Sequence, residues 1–359
     1  MHNVKLIGNF RTLLLIGAYT FVMIFLTMNS NLYISADVRL EKSFSADIHD
    51  EVYDEPIQIH TYGSDKKLRA ENFFEKPQRV ITVGRNNLES MLYLQETDRL
   101  IASEGSRQSF KNIGLVKKYN NLLTDTLFFD YGIPDLEAVL YLQPDLILGW
   151  RSTFSPKYLR STDWWAQRGV HTYISATSNH TAPVGTIDDE IQYMKDMGRI
   201  FHKEDEVAVY LQHLQEYLDR LAAFTSDKPK KTVAVIEGNG RNITNYDPHW
   251  LVGDLIKRCH GEMPIASSRI SAEELLMVNP DVIFVVTFSE HTESFVAQLL
   301  HDPKFHSLRA VSTKQVYPIP LYLMYTTGFS TMDGLDLIAQ GMYPQWNLSN
   351  REEEQADKM

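Results

Sequence analysis

The chain has 359 residues, 43% hydrophobic and 23% charged, which is enough apolar content for two domains with real cores and unlike a disordered protein. Lys and Arg number 35 against 46 Asp and Glu, and the net charge of -11 with no basic stripe speaks against nucleic-acid binding. The only cysteine is Cys259, so there is no internal disulfide and no CxxC or Cys/His zinc spacing.

The chain opens with a basic start, His2, Lys5 and Arg11, followed by an uncharged run from Thr12 to Met28. That is the layout of an export signal. The run lies between a signal core and a minimal membrane span in length. Residues 1–36 are therefore read as a signal peptide, with Ile34-Ser35-Ala36 as the cleavage site, or as an uncleaved anchor. A buried helix is disfavoured by the polar segment that follows. Either of the first two readings puts the body in the periplasm or on the extracytoplasmic face of the cytoplasmic membrane. No cysteine is placed to carry a lipid, so a lipoprotein is not expected.

Residues 37–76 read as a polar tether and an entry hairpin, with Ile57 to Tyr62 alternating as a strand and Gly63 to Lys66 as the turn. Residues 77–185 alternate strand and helix patterns. Arg79–Gly84, Leu100–Ser103, Leu146–Trp150 and Val170–Ile174 are the strands; helices carry Leu88 to Leu94, Pro134 to Leu142 and Trp164-Trp165. Such alternation predicts a parallel sheet covered on both faces. Residues 186–226 read as one long connecting helix, with apolar residues three or four apart from Ile187 to Leu221. Thr186 with Asp189 marks its start, Gly198 is its one weak interior residue, and Ser226, Asp227 and Pro229 end it. Residues 227–346 repeat the alternation with strands Thr232–Glu237, Val282–Val286 and Val316–Pro320, and residues 347–359 are a charged tail. The expected fold is α/β, two Rossmann-like lobes with parallel-rich sheets on either side of a single helical spine.

One repeat supports the two-lobe reading. Leu136 to Leu148 (LEAVLYLQPDLIL) matches Ala272 to Phe284 (AEELLMVNPDVIF): a helix with an early Glu, a Pro-Asp turn, then a buried strand.

With these elements in order, the chain resembles the substrate-binding proteins of ABC importers, in the branch that handles ferric siderophores, haem and cobalamin. The PQRVI opening, the DRLIA strand, both Pro-Asp units, the VYPIP strand and the closing DGLDLIAQGMYP helix carry the resemblance over about Pro77 to Pro344. It implies a small-molecule metal chelate held between the lobes, little lobe closure, and a monomer that hands its cargo to a membrane permease and through it to an ATPase. It also implies docking on the permease through one acidic residue per lobe, here Glu137 and Glu273, with Glu274 as the second-lobe alternative. No cofactor or resident metal is implied.

The cleft residues follow from the sheets themselves, because ligands lie beyond the carboxyl ends of parallel strands. That rule selects Arg85, Asn86 and Asn87; Trp150, Arg151 and Phe154; Arg241, Asn245 and Tyr246; Phe288 and His291; Tyr322 and Tyr325. Tyr131 joins from the rim segment and Arg269 from the loop before Ser271. Aromatic faces and forked arginines suit an anionic, partly apolar ligand. The histidines show no metalloprotease spacing, and GxSxG, P-loop and HExxH signatures are absent, so no enzyme is expected. Two other readings stand beside the importer component: a molybdate-type oxyanion binder, and a membrane-anchored sensor or scaffold on the same fold.

Overall fold

The computed structural model describes residues 52–105, 126–129, 132–239, 242–288 and 293–346. The signal or anchor segment, the charged tail, Tyr131, Arg241 and His291 lie outside the described residues. Among the described residues, no helix is long and apolar enough to cross a membrane.

Strands β1 (Val52–Tyr62) and β2 (Leu68–Glu75) form an antiparallel hairpin. The first lobe follows with β3 (Val80–Thr82), β4 (Leu100–Glu104), β5 (Leu127–Phe129), β6 (Leu146–Gly149) and β7 (His171–Ile174). These pair in the order β5-β4-β3-β6-β7, every pair parallel. Helices α1 (Arg85–Tyr93), α2 (Leu136–Leu142) and α3 (Thr162–Ala166) belong to the connections. The chain enters the sheet at its centre, runs out to one edge, then returns to the other side of β3. The reversal lies between β3 and β6, so a crevice opens at their carboxyl ends. The hairpin docks on the outer strand: Ile174 N–H donates to Thr61 Oγ1 at 3.1 Å, and Phe73 stacks on His171 with centroids 4.2 Å apart.

The connection between lobes departs from the expected single helix. It is two helices, α4 (Ile187–Phe201) and α5 (Glu204–Thr225). α4 begins with the capping box of Thr186 and Asp189. It ends where His202 adopts the left-handed conformation, φ 51°, and the Lys203 amide donates back to the Gly198 carbonyl at 2.7 Å. That bond pattern stops a helix. Gly198 explains the geometry of the corner: a side-chain carbon added there would sit 2.9 Å from Val207 Cγ2, so only glycine lets α5 pass this close.

In the second lobe, β8 (Lys231–Asn239), β12 (Val282–Thr287) and β13 (Val316–Pro320) run parallel. β9 (Asn242–Asn245) turns back antiparallel on β8, and β11 (Arg269–Ile270) extends that edge. The two-residue β10 (Gly261–Glu262) pairs with the start of β8. α6 (Leu251–Arg258), α7 (Ala272–Val278), α8 (Glu293–His301), α9 (Arg309–Ser312) and α10 (Thr331–Met342) complete the lobe.

The two copies of the repeated unit are built alike. Asp135 caps α2 through the Ala138 amide at 2.8 Å, and Ser271 caps α7 through the Glu274 amide at 3.2 Å. Each helix stops on a left-handed residue, Gln143 at φ 47° and Asn279 at φ 48°. The aspartate of each Pro-Asp turn then fixes the start of the neighbouring strand. Asp145 accepts the amides of Gln78 and Arg79 at 2.6 and 3.0 Å; Asp281 accepts the Thr232 amide and hydroxyl, both at 2.9 Å.

Alternation along the central strands divides the core. Val233 and Val235 with Val282, Phe284 and Val286 face the spine and join Met194, Met197, Ile200 and the first-lobe residues Leu146 and Leu148. Ala234, Ile236, Ile283 and Val285 face a second core under α7 and α8. Each such fully buried aliphatic side chain contributes roughly 1.5–3 kcal/mol, which fixes the strand ends to which the cleft loops attach.

Candidate functional site

The carboxyl ends of the two sheets face each other. From the first lobe come Gly84-Arg85, after β3, and Trp150-Arg151, after β6. From the second come Tyr322 and Tyr325, after β13, and Tyr246 and Trp250, between β9 and α6.

Trp150 is held in place by its own lobe. Its Nε1–H donates to Asn86 Oδ1 at 3.0 Å, and Asn86 Nδ2 donates in turn to Ser175 Oγ at 3.2 Å. Gly84, at φ 97°, clears the space: a side-chain carbon there would meet Trp150 Nε1 at 2.6 Å. Across the cleft the rings form a chain. Trp150 meets Tyr325 edge-on at 5.3 Å, Tyr325 meets Trp250 at 5.2 Å, and Trp250 meets Tyr246 at 5.7 Å and the His180 imidazole at 3.7 Å. Arg85 reaches over the Tyr322 ring, its guanidinium carbon 3.2 Å from the centroid.

The arginines stand out electrostatically. Arg85 Nε and Nη1 and Arg151 Nε are buried, and no described group accepts a hydrogen bond from them. Arg151 makes one long bond from Nη2, 3.4 Å to the Asn179 carbonyl, and its amide is held by Ser178 Oγ at 3.2 Å. A buried charged donor without an acceptor costs several kcal/mol, so these groups are poised for an anion. Tyr325 supplies a neutral hydroxyl: burial raises its pKa to about 12, and its oxygen accepts the Asn179 amide at 2.6 Å.

Not every residue selected by the strand-end rule faces the cleft with free groups. Asn87 is fully buried, its Nδ2 donating to the Val83 carbonyl at 2.8 Å and its Oδ1 accepting from Tyr193. Asn245 spends its Nδ2 on the Ile265 and Ser267 carbonyls, while its buried Oδ1 accepts from no described group. Tyr246 gives its hydroxyl proton to Glu237 at 3.1 Å. Phe154 is buried. Arg269 is exposed on the edge strand β11, and Phe288 is exposed just beyond β12. Arg85, Trp150, Arg151, Tyr322 and Tyr325 are the selected residues that meet at the seam.

The same rule, applied to β7, would also have found the loop from Ser175 to Pro183. It supplies His180, which carries a φ of 49°. His180, Lys66, Tyr62, Asp247 and His249 line a cavity of about 490 Å³ at the hairpin end of the cleft. Burial, chiefly, holds the His180 imidazole below its ordinary pKa. His249 Nδ1 lies 3.1 Å from Asp247 Oδ1. Among the described residues, no group of three or more His, Cys, Asp or Glu side chains is arranged to hold a metal ion.

The lobes are joined behind the cleft by Thr326 to Thr331, a segment with no motif in the sequence. Gly328 N–H donates to Glu190 of α4 at 2.5 Å, and Ser330 Oγ donates to Glu89 of α1 at 2.6 Å. Phe329 stacks on Tyr93 at 4.2 Å and lies edge-on to Tyr210 at 5.2 Å. Glu190 also accepts the Thr177 hydroxyl at 2.6 Å. Burial raises its carboxyl to about 7 despite these bonds. Glu137 and Glu273 are exposed in the first turns of α2 and α7, each two residues past its helix cap. Glu274 is occupied by the capping box with Ser271.

Comparison with known proteins places this architecture. A family model described as periplasmic binding protein matches residues 80–323. The ferric-anguibactin-binding protein FatB of Vibrio anguillarum is 23% identical over 220 residues, covering 59% of this chain and 64% of that protein. A vitamin B12-binding protein of Yersinia pestis is 26% identical over 156 residues, 42% of this chain and 52% of that one. The chain thus spans between about half and two thirds of the length of these relatives. Among solved structures, a periplasmic binding protein from Veillonella parvula superimposes with a TM-score of 0.75 at 25% identity, covering 85% of this chain and 97% of that one. The paired α/β lobes, the helical connection and the strand-end cleft are thus those of a known architecture, and the chain belongs to the periplasmic binding protein family.

Proposed function

We propose that this protein is the extracytoplasmic substrate-binding component of an ABC importer. It takes a metal chelate of the iron-siderophore, haem or cobalamin class into the interlobe cleft and delivers it to a membrane permease without covalent chemistry. The observation that carries the ligand class is the set of buried guanidinium N–H groups on Arg85 and Arg151 that no described residue accepts, set among the rings of Trp150, Tyr322 and Tyr325. Carboxylate, catecholate or hydroxamate oxygens on a chelate would accept from the arginines, and its flat or apolar parts would lie on the rings. The relatives named for ferric anguibactin and vitamin B12 both take metal chelates, which supports this class. Glu137 and Glu273, one per lobe, are the carboxylates that meet basic residues of the permease.

The test is a panel of ligands followed by tryptophan fluorescence and visible absorbance: ferric catecholate, ferric hydroxamate, ferric citrate, haem, cobalamin and molybdate. Trp150 and Trp250 lie within the ring chain, so saturable quenching by one chelate is expected. Binding of molybdate alone would replace this reading with an oxyanion binder. A folded protein silent to every chelate would leave the sensor or scaffold reading in its place.

A further inference from the structure

The repeated unit carries a second matched feature that the cleft does not use. Tyr141 on α2 is 61% exposed and Met277 on α7 is 80% exposed. They occupy the same position in the two copies of the unit, and each lies four residues after Glu137 or Glu273. Residues four apart share a helix face, about 5–6 Å from one another. Each lobe therefore presents a carboxylate with a large apolar side chain directly below it. Leu140 widens the apolar part on α2, at 40% exposure. Single exposed apolar residues are ordinary on protein surfaces. Here the same pairing occurs twice, at structurally equivalent positions, while the inward residues Val139 and Leu275 are buried as the helix period requires.

We infer that Tyr141 and Met277 extend the two acidic points into a pair of mixed carboxylate–apolar docking patches for the permease. This rests on the importer reading above. The partner's chemistry follows from the patches. It presents a basic residue and, one helical turn away, a shallow apolar pocket, and it presents this arrangement twice. Two equivalent patches on one chain fit a partner with two equivalent sites, as a dimer of like subunits provides. Interfaces favour Tyr and Met at their centres, where a ring or a flexible thioether fills a pocket once water is excluded. The carboxylates contribute steering and register, and the apolar side chains contribute slow dissociation.

The experiment places the photo-crosslinker benzoylphenylalanine at 141, 277, 137, 273 and, as control, at the exposed Val209 of α5, in the full chain in its own bacterium. Crosslinks from 141 and 277 to an ABC permease subunit, identified by mass spectrometry, with none from 209, are expected. In parallel, Tyr141→Ser with Met277→Ser is expected to cut uptake of iron-55 or labelled cobalamin at least tenfold, with ligand affinity within twofold. Crosslinks from 137 and 273 but not from 141 and 277 would overturn the apolar extension and leave acidic docking in place. No permease crosslink from any of the four positions would overturn both.

Discussion

The two lobes share a frame and differ in what they bring to the cleft. Both contain the same capped helix, left-handed stop and Pro-Asp staple, with matching bonds to the start of β3 and of β8. The described strands of the first-lobe sheet are all parallel, and this lobe contributes the cations Arg85, at the start of α1, and Arg151, whose amide is held by Ser178. The second lobe carries an antiparallel edge, β9 with β11, and contributes mostly rings: Tyr246, Trp250, Tyr322 and Tyr325. A duplicated scaffold has thus been kept where it pins strands and changed at the cleft, where among the described residues the seam arginines come from the first lobe and most of the rings from the second.

The sharpest way to break this division is to remove the charge. Arg85→Ala with Arg151→Ala is expected to weaken binding of the ligand found in the panel by about 100-fold or more, since charge-assisted hydrogen bonds are worth roughly 1.5–3 kcal/mol each. Thermal stability should hold or rise, because buried unpaired donors disappear. A clear fall in melting temperature with unchanged affinity would mean the arginines serve the fold.

The next test addresses what joins the lobes. Glu190 has a folded pKa of about 7, above the ordinary carboxyl value of 4.5. The folded state therefore holds a proton that the unfolded chain has lost between these values. The associated stability is complete below pH 4.5 and disappears as pH rises through 7. Urea unfolding should show a loss of about 2–3 kcal/mol from pH 5 to pH 8, and Glu190→Gln should flatten that slope. A variant that keeps the full slope would assign it to other buried carboxyls, such as Asp196 and Glu104, which burial also raises.

A smaller effect sharpens the claim of a common frame. Asp145→Ala and Asp281→Ala should each cost about 1–3 kcal/mol, since each leaves strand-start donors without their acceptor. Similar losses from both would support equivalence; a large loss from one alone would show that the copies have diverged in the frame as well. The smallest expected effect is from Trp150→Phe, which keeps a ring but loses the bond to Asn86, with a two- to tenfold change in affinity.

The scaffold was legible because it is local. A helix, a Pro-Asp turn and the start of a buried strand lie within thirteen consecutive residues, and repetition reinforces each signal. The break in the spine was also written locally. Glu204, Asp205 and Glu206 form an acidic first turn of α5, a helix start that outweighs the apolar spacing continuing through it. The strand-end rule selected Arg85, Trp150 and Arg151 because each follows a short, plainly buried strand, and the structure gathers them at the seam. At Asn87 and Asn245 the side-chain amide turns inward and satisfies backbone carbonyls, which a polar residue beside a strand end can do equally well, though Asn245 keeps a buried Oδ1 without a partner. The Arg85–Tyr322 contact and the Glu190–Gly328 bond join residues more than a hundred positions apart, and no periodicity records such meetings.

The seam from Thr326 to Thr331 has a consequence for traffic at the membrane. Opening the lobes would require Phe329 to leave its contacts with Tyr93 and Tyr210, and Glu190 and Glu89 to lose their bonds to Gly328 and Ser330. These seam contacts hold the helices that carry Glu137 and Glu273 at one spacing in the described state. On the proposed docking reading, an empty binder and a loaded one would present the permease with nearly the same pair of contacts, and the empty form would compete for the gate. Net import would then depend on the ratio of loaded to empty protein, and overproducing the binder in a cell starved of ligand is expected to slow uptake.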